Sequence, residues 1–331
     1  MIRSFVFSEG KLAAENLDLD ALRLVRFDKG LIIWVDLDQP TEEETRAVLE
    51  TLFQFHPLSI EDCVTVSPIP KLEDYDDYSF LVMHAVDFHK DEKFHTHELN
   101  LFIGKEFLVT YHRQELRPIR AAMERCGGKG VAPIARGPDR LAHTLLDLLT
   151  DYYKPVISEL GRELDDLEDL LLDDDVAQER KLGAKEVMRE MLGFRKDLSA
   201  LRQIVRPQRE VVYRLSRGEN KFIRPILIPY YRDLHDDLNQ IEQAASSLNE
   251  RLLGSLDVYI NKTSYQSSEG IKVLTALTAI TLPPIIIGGW YGMNFRFMPE
   301  LDFPWAYWLM IALTIISMVL MWLWIKKKNW F

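Results

Sequence analysis

The stretch "WYGMNFRFMPEL", residues 290–301, lies between the two long uncharged runs of this 331-residue chain. The run before it, Val273 to Trp290, holds eighteen residues without a charge, near the minimum for crossing a bilayer. The run after it, Pro304 to Ile325, holds twenty-two, and the first 270 residues contain nothing comparable. One such run could be a buried core helix. Two of them, joined by a short polar loop and stopped by Lys326, Lys327 and Lys328, read as a pair of membrane spans. Lys262 and Lys272 flank the first span, whereas the loop holds Arg296 and the acids Glu300 and Asp302. The positive-inside tendency then puts both ends in the cytoplasm and the loop outside, in a cell inner or plasma membrane.

A net charge of −11 and the lack of a basic stripe argue against nucleic acid as a partner. The N-terminus has no secretory pattern. Cys63 and Cys126 are too few for a disulfide framework, which fits a reducing compartment. No phosphate-binding Gly-rich loop, G-x-S-x-G or H-E-x-x-H occurs, so neither an enzyme nor an ATP-driven pump is expected. No cofactor is expected either. The driving force for any transport would be the ion gradient and the membrane potential.

The first third mixes strands and helices. "SFVF", "LIIWVDL", "SFLVMHAVDF", "HELNLFI" and "EFLVTYH" are rich in branched and aromatic residues and read as strands. Gly104-Lys105 suggests a hairpin turn. Thr41 with Glu44 forms a capping box that opens a helix over "EEETRAVLETLF". "RPIRAAMERC" reads as another helix, ended by Gly127-Gly128. A Gly- and Pro-rich stretch then marks a boundary at Pro138. From Asp139, apolar residues from Leu145 to Leu167 recur at helical steps and lead into the acidic "ELDDLEDLLLDDD" as one helix. A further helix is expected over Ala184 to Leu215. Past Pro225 and Pro229, Leu234, Leu238, Ile241, Ala245, Leu248, Leu252, Leu256 and Tyr259 keep a nearly heptad spacing. One helix from Pro229 to Tyr291, roughly 90 Å long, follows. Such a stalk is expected to pack against copies of itself.

The architecture is therefore an α+β membrane protein. Residues 1–138 form an α/β cytoplasmic domain, 139–228 an acidic helical region and 229–270 a stalk. Residues 271–291 form the first span, continuous with the stalk, 292–303 the external loop, 304–325 the second span and 326–331 a basic tail.

Two spans cannot enclose a water-filled path alone, because backbone groups in lipid must be satisfied within a helix. Gly288, Gly289 and Gly292 allow close approach in the first span, and Pro283-Pro284 is expected to bend it. Trp308, Trp322 and Trp324 suit a lipid-facing second span. A ring of copies with the first span at the axis would create a hole. Ile271, Leu274 and Leu282 are candidates to line it or to pack between subunits, Ile285 is a further candidate to line it, and Gly292, Met293 and Asn294 stand at its mouth. The neutral Asn294 amide can accept from the water of a hydrated cation, which suits Mg²⁺ because that ion sheds water reluctantly.

Tyr291-Gly292-Met293-Asn294-Phe295 resembles the signature of the CorA family of divalent metal cation (magnesium/cobalt) transporters. So do Met298-Pro299-Glu300-Leu301 and the terminal Lys-Lys-Lys-Asn-Trp. The likeness is strongest from Ile228 to the end and extends loosely over the chain, including Ile60-Glu61-Asp62. The resemblance implies a homopentamer that moves Mg²⁺ and Co²⁺, with Asn294 in the selectivity filter. It also implies a regulatory metal held between subunits by Asp233 and a strand-end partner at Asp87 or His89. Two departures stand out. Ile285 replaces a common pore threonine, and Arg296 stands where an acid is usual. Both make a zinc-transporting relative credible, for uptake or efflux.

Blander readings stand beside these. The acids from Asp165 to Asp175 could concentrate cations or simply form a solvated face. His95 and His97, with Glu98 nearby, could bind Zn²⁺ or be an ordinary exposed pair. Asn294 could merely cap a helix end. In another class altogether, the spans could only tether a membrane-anchored scaffold.

Overall fold

The computed structural model describes residues 1–26, 28, 30–67, 69–89, 92–126, 136–172, 184–293, 298–299 and 303–328, the side chains of 87–89 and 92–94 apart. The chain divides into two compact units, Met1–Leu253 and Gly254–Phe331.

The first unit is built on a seven-stranded sheet. Its strands are β1 (Ile2–Ser8), β2 (Lys11–Glu15), β3 (Leu31–Asp38), β4 (Lys71–Asp74), β5 (Tyr78–His89), β6 (Glu92–Gly104) and β7 (Phe107–His112), in the order β2-β1-β3-β7-β6-β5-β4. Among the described strand pairs, β3–β7 alone is parallel. The five expected strands are all present. The two missed, β2 and β4, are short edge strands, too polar to show the branched and aromatic enrichment of the centre.

Alternation along β3 decides the two faces. Ile33, Val35 and Leu37 join Phe80, Val82, Phe102 and Val109 on one face. Helices α1 (Leu19–Val25), α2 (Glu42–Thr45) and α3 (Pro57–Val64) lie at that side, where Leu22 and Cys63 complete the core. The Thr41–Glu44 capping box is present, but α2 passes after one turn into a π-helical stretch, Arg46–Leu52, that turns Val48, Leu49 and Leu52 into the core. Both cysteines are buried and free, and burial pushes the Cys126 thiol up to about 12.

The opposite face carries Trp34 and Asp36 and is covered by helices from the middle of the chain. After α4 (Arg117–Cys126), the single helix expected from Asp139 is in fact two, α5 (Pro138–Asp151) and α6 (Tyr153–Leu172). The break falls at Tyr152, because Pro155 has no N–H to give to the Asp151 carbonyl. Helix α7 spans Ala184–Ser216 and α8 spans Ile228–Tyr291. A bidentate contact from Arg224 to Asp139, 2.7 Å to each oxygen, fixes the start of α8 beside α5. Gly137 permits this: its φ is +133°, and a Cβ there would collide with the Arg224 guanidinium.

The apolar rhythm of the stalk finds most of its cover within the chain. The heptad-like positions Tyr231, Leu234, Leu238, Ile241, Ala245, Leu248 and Leu252 are buried within the chain's own first unit. Copies of the stalk are not needed to cover them. Lys154 reaches Asp237 at 2.9 Å, and Arg251 reaches Asp165 and Glu168 at 2.7 and 2.6 Å. Two acids of the acidic run are therefore engaged with α8, while Asp173, Asp174 and Asp175 lie outside the described residues. Beyond Leu252 the helix changes character: Val258, Ile260 and Tyr265 are exposed.

Candidate functional site

The second unit contains the end of α8 and α9 (Ala306–Lys327), both long and apolar enough to cross a membrane. Only 6% of each apolar window is buried, which separates them from core helices of a soluble protein. Helix α8 continues through Pro283 and Pro284 without interruption. The cost of those prolines is two carbonyls, at Ala279 and Ile280, without their usual donors.

Helix α9 stands beside one side of α8. Pro284, Ile287, Gly288 and Tyr291 share a cavity of about 580 Å³ with Phe303, Tyr307 and Ile311. Further towards the N-terminal side of this segment, Ala276 is fully buried. At about 100° per residue, Ala276, Pro284, Ile287 and Tyr291 form one stripe. Ile271, Leu274, Leu282 and Ile285 lie on the opposite side of the helix, each about half exposed or more. Gly289 continues that uncovered face towards the loop. Thr275 and Thr278 also lie there, and the sequence reading passed over them. The available signal was the seven-residue step from Thr278 to Ile285, which returns to nearly the same azimuth.

At the C-terminal end of α8, the Gly292 amide donates to the Gly288 carbonyl at 2.9 Å and the Met293 amide to the Trp290 carbonyl at 3.3 Å. A Cβ on Gly292 would stand 2.9 Å from the Gly288 oxygen, so this turn is made for glycine. Asn294 and Arg296 lie outside the described residues. At the other end of α9, Lys326 sits 5.2 Å over Trp322 and Lys328 5.6 Å over Trp324. These cations also suit the negative end of the helix dipole.

In the first unit, Asp233 is exposed near the start of α8. Its charge acts on the buried His143, whose imidazole is lowered by burial first, with Asp147 and Asp233 pulling the other way. Burial also raises the Asp147 carboxyl, and Asp151 and Asp237 add to this. Asp87 and His89 end β5, with Asp87 paired to His95 and His89 to Glu92. Their side chains are outside the described set. Among the described residues, no three His, Cys, Asp or Glu side chains of one chain converge as a metal site. The possible zinc trio fails on strand geometry: Glu98 points to the face opposite His95 and His97. It accepts instead from the Ser67 amide and the Asn100 side chain, each at 2.9 Å.

A family model described as CorA-like Mg²⁺ transporter protein matches residues 29–327. The cobalt/magnesium transport protein CorA of Thermotoga maritima is 29% identical over 307 residues, 92% of this chain and 84% of its own. YfjQ of Bacillus subtilis (strain 168), assigned by its name to metal ion transport, is 31% identical over 298 residues, 90% of this chain and 89% of its own. The complete structure of the CorA magnesium transporter from Methanocaldococcus jannaschii superposes with a TM-score of 0.80 at 23% identity, over 100% of this chain and 99% of that one. With the match running through the sheet, the long helix and both apolar helices, the chain belongs to the CorA-like Mg²⁺ transporter family.

Proposed function

We propose that this protein is a homopentameric divalent-cation channel that moves Mg²⁺ and Co²⁺ across the cell's inner or plasma membrane, with both termini cytoplasmic. The observation that carries the reading is the uncovered face of α8. Ile271, Leu274, Leu282 and Ile285 lie along it, opposite α9, and it leads directly to Gly292, Met293 and Asn294. In a ring of copies this face turns to the axis, while the tryptophan-bearing α9 turns to lipid. The apolar side chains then act as the gate, and Asn294 accepts from the water of the incoming ion. The names of the relatives support magnesium and cobalt as cargo.

Control by cytoplasmic metal is part of the proposal. Asp233 of one subunit would share the ion with Asp87 or His89 of the next, and the bound ion would hold the pore closed. Ile285 and Arg296 favour a second reading, Zn²⁺ as cargo, because one removes a polar ring and the other sets cations at the mouth.

Flux into liposomes of the purified full chain tests these readings. Asn294→Ala should reduce Mg²⁺ entry and blur the ranking of Mg²⁺, Co²⁺ and Zn²⁺. Unchanged entry and ranking would remove Asn294 from the filter. Zn²⁺ faster than Mg²⁺ in the wild type would select the zinc reading. Vesicles that conduct nothing would favour a scaffold. Asp233→Ala should weaken inhibition by trapped internal Mg²⁺.

A further inference from the structure

We infer that Thr278 supplies a second polar ring on the ion path, one turned to the water shell of a passing divalent cation. The inference deepens the channel reading proposed above and rests on it. Its basis is position and hydrogen-bond polarity. The side of α8 that holds the buried Ala276 and the half-buried Pro284, Ile287 and Tyr291, the last three around the pocket shared with α9, defines by subtraction the middle of the uncovered face. Thr278 falls at that middle, four residues after Leu274 and four before Leu282. Thr275 and Thr281 lie about 60° to either side of it.

The Thr278 hydroxyl donates to the Leu274 carbonyl at 2.9 Å. Its only hydrogen is thus committed to the helix, and the oxygen is left as an acceptor. The shell water of a cation turns its hydrogens outward and needs acceptors, so this polarity is the useful one. The oxygen is neutral, so it can serve a hydrated ion without the deep trap that a carboxylate would make in a membrane.

Position gives the ring a second consequence. Without Thr278, the path from Leu274 to Leu282 would be a dry stretch of roughly 12 Å. With it, each apolar step is roughly 6 Å, about two waters long. The family's usual polar ring is lost at Ile285. Thr278 lies seven residues, roughly 10.5 Å, further towards the cytoplasm at nearly the same azimuth. The ring has moved along the path.

A purely structural threonine would also bond back to its own helix, as Thr275 and Thr281 do. The test therefore has to separate face from chemistry. Mg²⁺ flux is measured in liposomes for the full-length wild type, Thr278→Val, Thr278→Ser, Thr281→Val and the double variant Thr278→Val/Ile285→Thr. Valine keeps the branched shape and removes the acceptor. Thr278→Val should lower flux by about tenfold, the scale of one hydrogen bond in a barrier, while the oligomer elutes unchanged. Serine at 278 and valine at 281 should each stay within about twofold of wild type. The double variant should recover most of the loss. Wild-type flux in Thr278→Val, or an equal loss in Thr281→Val, would overturn the assignment. If valine prevents assembly, Thr278→Ala carries the same expectations. Failure of the wild type to conduct at all would remove the channel reading, a result distinct from failure at this one residue.

Discussion

His112 Nε2 lies 3.3 Å from the Asp36 carboxylate, in the interior of the first unit where β3 and β7 run parallel. Its other ring nitrogen, Nδ1, faces the Gln114 carbonyl at 2.6 Å. Both neighbours only accept, so both nitrogens are satisfied only when the imidazole is protonated. Asp36 also accepts from the Thr110 hydroxyl at 2.5 Å, and that hydroxyl accepts from Trp34 Nε1 at 3.0 Å.

A pH dependence follows from this pair. Burial alone would lower the His112 imidazole, but the hydrogen bond and charge of Asp36, with Gln114 and Asp38, raise it above its ordinary value. A histidine raised on folding stabilises most below its unfolded pKa of about 6.5. That contribution is lost as pH rises through the higher folded value. Thermal unfolding of the detergent-solubilised chain should therefore show wild type losing its advantage over His112→Gln as pH goes from about 6 to 9. A gap that widens with pH would contradict the charged pair.

The edge of the sheet gives a second prediction. Strand β4 stops pairing at Val82, and two residues on, the His84 backbone would face an empty edge. The Tyr153 hydroxyl donates to the His84 carbonyl, and the His84 amide donates to the Gln208 side chain, both at 2.7 Å. Gln208 in turn donates to the Tyr153 hydroxyl at 2.9 Å. Tyr153→Phe keeps the packing and leaves a buried carbonyl unpaired, which should cost about 1–3 kcal/mol in a thermal or denaturant melt. An unchanged melt would mean that water reaches this edge.

At the C-terminal end of α8, Gly292→Ala should reduce Mg²⁺ flux by about tenfold or more while the oligomer remains intact, because the turn that leads to Asn294 must open to admit the methyl. Flux and size-exclusion profile, measured on the same preparation, check this. Normal flux would show that the Asn294 position does not depend on that turn.

Much of the molecule was readable from local pattern. The apolar runs at Val273 and Pro304, the lysines at 326–328, the Thr41 capping box and the seven-residue rhythm from Leu234 are signals carried within a few turns of chain. Helical and strand periods act at short range, so they survive in a linear string. That Ile271, Leu274, Leu282 and Ile285 share one face of α8 follows from the same short-range period.

What the string could not supply was the identity of the partner for each face. The heptad from Tyr231 to Leu252 says that one side of α8 is covered, and only the folded chain shows its own first unit doing so. The sequence places Glu98 beside His97, and the pleat of β6 turns it away. Apolar run, charge stop and helical rhythm told where the membrane helices lie, because those are one-dimensional quantities. Which side of α8 meets α9, and so leaves Thr278 uncovered, was decided by packing between residues far apart in the chain.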